Sequence, residues 1–390
     1  MRLSQYRRSA QQVQQHSIAL LHQHLRPRDF SRRCSAWMVL SCLVLAAACR
    51  LSLAAVAALR AACPNRETLR QAVLATLPGY HELQRRLGGL LRASLPRGLR
   101  RRRVRRRYPL AIDVHGVPYY KRRRTPPPHV RKGRRRPGTA YSHQYATASL
   151  LRKGCYFVVA LTPYAPGEDL ASLVRRLLRQ AAANGFVARY VLMDRSFWSA
   201  DVFRYLQRAR YPFLLPVLAR GKKATSPGGP TGTQAFVHGC KTGWYRYRVA
   251  NRRRQTACLT IVVQRRNHGG RRGRRGRYAW AYGLWRMSLS SVAWVHQSYR
   301  RRFRIESSYR LMEAARARTS SREEGLRLWY VVLAALLLNG WLEVRRAASL
   351  AGAGGPQWWN HLLLLLTYRL LLEEAAPSNP PRKPKHPRRQ

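Results

Sequence analysis

Three carboxylates stand out in a chain that has few. Its 390 residues hold 75 Lys and Arg against 15 Asp and Glu, a formal net charge of +60. Of five aspartates, Asp113 lies in "LAIDVHG" and Asp194 in "YVLMDRSFW", at or within apolar, strand-forming segments. Strand interiors disfavour aspartate, and a buried carboxylate is costly unless it is paired or binds a metal. The third, Glu306, sits in the arginine-dense "YRRRFRIESSYRLME" (299–313). Two strand aspartates and a helix glutamate in a basic protein suit two-metal phosphoryl chemistry. Carboxylates hold two Mg²⁺ roughly 3.5–4 Å apart, one ion activating the attacking oxygen and the other stabilising the leaving oxygen. Mg²⁺ prefers hard oxygen ligands and keeps water positions open.

Each carboxylate also has a plainer reading. Asp113 and Asp194 could cap turns at strand ends or pair with arginines, and Asp169 and Asp201 fit the first turns of helices. On a helix, Tyr299, Arg302, Glu306 and Arg310 fall within about 80° of one another. Glu306 could therefore be a surface residue bridged to Arg302 and Arg310, at about a few tenths of a kcal/mol. Alternatively it is a functional carboxylate flanked by cations and a tyrosine that grip phosphates. The helix alone does not decide; the set of three favours chemistry.

What must position these residues is a chain long enough for two domains or for one with an insertion. Apolar residues make up 46%, which excludes a disordered basic protein. The charge calls for a polyanionic partner, nucleic acid first and an anionic membrane surface second. Only 8 of the basic residues are lysine, so part of the excess reflects an arginine-rich composition. Seven cysteines, none spaced C-x-x-C, fit neither a disulfide framework nor a zinc site and point to a reducing cytoplasm. The apolar run "AWMVLSCLVLAAAC" (36–49) is short for a membrane span and reads as a buried helix, so no stable membrane association is expected.

Residues 1 to about 95 read as helical, followed by the arginine run "RGLRRRRVRRR" (97–107). Strands are expected at "LAIDV", 141–151, 155–164, 188–194 and 212–219, with helices at 169–185 and 200–210. A Pro-rich basic loop covers 122–138. Three more strands follow in 244–285, then helices from about 290, including leucine-rich ones around 326–346 and 358–374. Strands in series and then alternating with helices imply an α/β mixed sheet covered by helices.

In this order and spacing the segments resemble the DDE transposases of bacterial and archaeal insertion sequences, in the branch with a β-rich insertion before the last acidic residue. The resemblance covers about 108–345. It rests on "LAIDVHGVPYY", "HQYATA" (143–148), "VLMDRSFWSADVF" (191–203), "YRRRFRIESSYRLME" and "RTSS" (318–321). Tyr299, Arg302 and Glu306 match the first three positions of a Y-x2-R-x3-E-x6-K signature, with Glu313 at the fourth and Arg310 on the same helix face.

The resemblance implies a ribonuclease-H-like core in two parts, 108–220 and 289–375, split by a β-rich insertion at 221–288. It also implies an N-terminal region (1–95) that is a candidate for DNA-end binding; composition adds a basic linker (96–107) and a basic, disordered tail (376–390). Asp113, Asp194 and Glu306 would be catalytic ligands of two Mg²⁺, for which Mn²⁺ could substitute. Tyr299, Arg302, Arg310, Arg195 and Trp198 would contact DNA, with Trp198 either stacking on a base or packing in the core. His115 and His143 read as structural. The partners implied are double-stranded DNA, as transposon ends and target, and a second copy of the chain in a synaptic homodimer. The setting implied is the nucleoid in the cytoplasm. The alternative, motivated by Glu313, is a transposase-derived DNA-binding protein that no longer cuts.

Overall fold

The computed structural model of the chain describes residues 3–32, 34–59, 63–100, 106–120, 127, 129–152, 155–222, 225, 228–269, 275–287 and 291–347. The expected helix at 358–374 and the basic tail lie outside the described residues.

The N-terminal region is helical, as α1 (Leu3–Leu25), α2 (Ala36–Cys49), α3 (Leu53–Leu59), α4 (Arg66–Thr76), α5 (Tyr80–Ala93) and the short α6 (Arg97–Arg100). The apolar stretch after residue 36 is two helices bent by 105°, not one span. Ser35 starts α2 by accepting a hydrogen bond from Met38 N at 3.2 Å, and Arg50 stops it in the left-handed conformation (φ 54°). Most of α2 is buried, so it is a core helix of this region.

A nine-stranded mixed sheet follows. Its first strands are β1 (Arg106–Pro118), β2 (Val130–Arg136), β3 (Thr139–Arg152) and β4 (Cys155–Pro163). Then α7 (Leu170–Ala183), β5 (Phe186–Leu192), α8 (Ala200–Arg208) and β6 (Phe213–Pro216) alternate. After α9 (Gln234–His238) come β7 (Gly243–Ala250), β8 (Thr256–Gly269) and β9 (Arg275–Trp285), and the last helices are α10 (Val292–Arg300), α11 (Phe303–Ala314) and α12 (Glu324–Ala347). The strand order is β2-β3-β1-β5-β6-β9-β8-β7, with β4 also on β3. β1, β5 and β6 run parallel, and β3, β4 and β9 join antiparallel. This is the expected α/β architecture, a mixed sheet flanked by helices in the manner of a ribonuclease-H-like fold. Through the β6–β9 pairing, the strands of 221–288 continue the same sheet.

One element departs from the sequence reading. Residues 130–136 lie inside the expected Pro-rich loop, yet they pair with β3 as a hairpin whose turn holds Gly138 at φ +78°. "VRKGRRR" has almost no strand signal of its own; a ready partner strand decides its conformation.

The outer edge of β4 is closed by side-chain amides. Asn339 of α12, fully buried, accepts from Val158 N and donates to Val158 O, both at 2.9 Å, and also donates to Ser94. Gln180 and Asn184 at the C-terminal end of α7 bond Leu161 N and Val159 O. An unpaired edge inside the protein would leave costly orphan groups, so these amides fix how α12 and α7 seat on the sheet. By length and composition α12 could cross a membrane, but 89% of its most apolar window is buried inside the protein.

Candidate active site

The sheet register brings the two aspartates together. β1 and β5 are parallel neighbours, and their paired stretch ends at Ala111 opposite Leu192. Asp113 and Asp194 each lie two residues further on, Asp113 still on β1 and Asp194 just past the end of β5, beyond two strands that lie about 4.8 Å apart. The charge of Asp194 contributes to raising the pKa of Asp113.

Their surroundings differ. Asp113 is mostly buried, its side chain 14% exposed, and Oδ1 accepts from Val114 N at 2.8 Å. Burial, aided by the neighbouring carboxylates and opposed by Arg302 and the Val114 amide, raises its pKa to about 6. Asp194 is partly exposed and starts a 3-10 turn at Arg195–Phe197, accepting from Ser196 N at 2.9 Å and from the Ser196 hydroxyl. The turn-capping reading and the functional one therefore coexist at Asp194.

Glu306 reaches Asp113 through an arginine. Arg302 Nη1 lies 3.1 Å from Asp113 Oδ2, and Nη2 lies 2.6 Å from Glu306 Oε1. Its Nε donates to the Tyr299 hydroxyl at 2.8 Å. Arg302 is buried and Glu306 about half exposed. Burial opposes the guanidinium charge, but Tyr299, Asp113 and Glu306 together outweigh it and raise the Arg302 pKa.

The single helix expected to carry Tyr299, Arg302, Glu306 and Arg310 is divided into α10 and α11, yet Tyr299, Arg302 and Glu306 stay bonded to one another at i,i+3 and i,i+4 spacing. Bonds from Arg301 N to Ser298 O and from Arg302 N to Tyr299 O tighten the chain between α10 and α11. Tyr299 lies in the last turn of α10, which ends at Arg300, and Arg302 precedes α11. Arg302 lies inward there, between Asp113 and Glu306.

The other residues expected to contact DNA divide by exposure. Arg195 and Arg310 are exposed, while Tyr299 and Arg302 are buried among the carboxylates. Trp198 is a core side chain, 3% exposed and edge-on to Phe203. A Cβ at position 283 would meet its ring at 2.6 Å, so Gly283 is what lets the indole lie against β9. Burial removes Trp198 as a stacking platform for a base. His143 is buried beside Tyr119, with its pKa lowered to about 4 by burial, which fits a structural role.

Two residues that sequence reasoning did not select complete the site. The Tyr309 hydroxyl donates to Asp113 O at 2.8 Å and lies 2.7 Å from Thr147 Oγ1, the register partner of Asp113 across β1 and β3. The Tyr309 ring stacks on His115 with centroids 5.0 Å apart. Tyr309 thus fastens α11 to β1 at the level of Asp113. A signal was present, since Tyr309 lies one turn beyond Glu306.

The donor set fits a divalent cation in chemistry: three hard carboxylates, two of them side by side. Arg302 fills the space between Asp113 and Glu306, so among the described residues no group of three His, Cys, Asp or Glu side chains is gathered to hold a metal. Asp113 and Asp194 would supply the adjoining oxygens, with Glu306 as the third ligand on release from Arg302.

A family model described as "Transposase DDE domain" matches residues 105–339, a span that holds all three carboxylates and ends at Asn339. No curated protein matches the chain.

Proposed function

The chain belongs to the DDE transposase family, and we propose that it cuts DNA at transposon ends and joins the freed ends to target DNA. Within that family we place it in the insertion-sequence branch with the Tyr299, Arg302, Glu306 signature and the β-rich insertion. The observation that carries the catalytic reading is the placement of Asp113 on β1 next to Asp194 just past the end of β5, with Glu306 tied to Asp113 through Arg302.

The reaction is hydrolysis followed by transesterification. Water attacks the phosphodiester at the transposon end, the P–O3′ bond breaks and a 3′-hydroxyl is released. That hydroxyl then attacks a target phosphodiester and displaces its 3′ oxygen. DDE transposases generally use divalent metal ions, and here Mg²⁺, held by Asp113, Asp194 and Glu306, would activate the attacking oxygen and stabilise the leaving one.

The chain's own residues do the rest. Tyr309 holds the β1 backbone at Asp113, and Tyr299 holds Arg302 in the gap between the carboxylates. With those two arginine and tyrosine side chains inside, phosphate contact falls to the exposed Arg195 and Arg310. The N-terminal helices recognise transposon ends, a second copy completes the synaptic complex, and the protein works on the nucleoid without stable membrane association.

The test is nicking of a labelled duplex bearing the element's terminal repeat, with Mg²⁺ and with EDTA, for the wild type beside Glu306→Gln. Metal-dependent release of a 3′-hydroxyl, lost in Glu306→Gln, supports the reading. Binding without nicking in both proteins would overturn it and leave a DNA-binding protein.

A further inference from the structure

A strongly basic cavity lies beyond the carboxylates, with a volume of about 700 Å³. Arg50, Arg316, Arg318, Arg322 and Arg327 line it against a single carboxylate, Glu313. Arg50 comes from the end of α2, Glu313 from α11 and Arg327 from α12, so three separate parts of the chain deliver charge to one place.

The like charges are held there by the fold. Arg318 N bonds Leu51 O at 3.0 Å, which ties the 316–320 segment to the N-terminal helices. Arg327 Nε donates to Ser321 O at 2.7 Å. Arg316, its side chain 17% exposed, has Glu313 3.7 Å away as its ion-pair partner. Burial, with the charges of Arg50 and Arg327, pushes the Arg316 pKa down, and burial does the same at Arg327. Cations held together against mutual repulsion in a half-enclosed space form a seat for an anion.

Two elements lead from the carboxylates to this cavity. β1 runs from Asp113 to Val117 on its wall, about 13 Å along a strand. α11 runs from Glu306 to Glu313, about 10 Å along a helix. At the roughly 3.4 Å step of duplex DNA these lengths amount to about three or four nucleotides, and to fewer where the strand is unpaired and more extended. At the mouth, Tyr120 is 66% exposed, with its ring packed over Gly138 of the β2–β3 turn.

We propose that this cavity seats an unpaired nucleotide of the DNA strand passing the carboxylates, its phosphate held among Arg316, Arg322 and Arg327 and its base on the ring of Tyr120. The proposal rests on the transposase reading for the direction of the strand. A base within a duplex keeps both faces stacked on its neighbours; an unpaired base has a face free for an aromatic side chain. The "RTSS" segment is thereby a scaffold for a phosphate site, and Glu313 belongs to its wall.

The test uses the full-length protein and two probes, a short single-stranded oligodeoxynucleotide with one 5-iodouracil and the same sequence as a duplex. Photocrosslinking is expected at Tyr120 with the single strand. Tyr120→Leu should weaken single-strand binding about tenfold and leave duplex binding unchanged. Arg327→Gln and the exposed Arg322→Gln should each lower the salt dependence of single-strand binding by about 0.7 in slope per lost phosphate contact. Crosslinks elsewhere, or equal loss of both probes in Tyr120→Leu, would overturn the seat for a base. Unchanged salt slopes in both arginine variants would overturn the phosphate seat. Nicking assayed in parallel separates the two readings. Wild-type nicking with no effect of the pocket variants sinks the pocket alone; pocket effects without nicking sink the transposase reading alone.

Discussion

Arg302 Nη1 lies 3.1 Å from Asp113 Oδ2 although the two residues are 189 positions apart. The same guanidinium reaches Glu306 at 2.6 Å and Tyr299 at 2.8 Å, so one planar fork serves three partners in fixed directions. An ammonium has no such fork, and Arg302→Lys should not restore the arrangement.

Removing that charge exposes its role. Arg302→Met leaves the buried Asp113 carboxylate without its nearest cation and should destabilise the protein by roughly 3 kcal/mol at pH 8. At pH 5 the loss should be smaller, because Asp113 can take up a proton. Urea unfolding at the two pH values checks this; an equal loss at both would mean that Arg302 matters only for packing.

Asp113 itself predicts a pH dependence. Its pKa is raised from 3.8 to about 6, chiefly by burial, so the folded state favours the protonated form. The stability this contributes is fully present below pH 4 and is lost as pH rises through about 6. The shift amounts to roughly 3 kcal/mol at most. Asp113→Asn should lack this fall, giving a flatter stability profile between pH 4 and 6. Thermal unfolding across that range would show it.

Metal dependence should be shared among the carboxylates. EDTA should abolish nicking, and Mg²⁺ or Mn²⁺ should restore it in the wild type. In Asp113→Asn or Asp194→Asn, neither ion should restore more than roughly a thousandth of the rate, the scale of a few kcal/mol of lost transition-state stabilisation. Full rescue by excess metal would move the role of that aspartate away from the cation.

Far from the carboxylates, Asn339→Leu keeps an apolar helix face but strips Val158 of partners for both its N–H and its C=O. Two buried orphan groups should cost roughly 2–5 kcal/mol. Denaturant unfolding measures the loss, and faster amide exchange in β4 would locate it.

Much of the fold was legible in local pattern. The apolar runs at 155–164 and 188–194 and the amphipathic, Asp169-capped stretch at 169–185 became β4, β5 and α7 nearly as read, because burial and capping are encoded within a few residues. The hairpin strand 130–136 was not legible, since its conformation comes from the partner strand and not from its own residues.

For the site, residue type and order alone singled out Asp113, Asp194 and Glu306, because carboxylates are so scarce here that their positions carry meaning. Tertiary structure decided what those positions could not express. The parallel pairing of β1 with β5 set the aspartates side by side, the docking of α11 on β1 put Arg302 beside Asp113, and Gly283 let Trp198 sink into the core. Each depends on contacts between segments tens to hundreds of residues apart, and a linear pattern records which side chains exist but not which of them share a space.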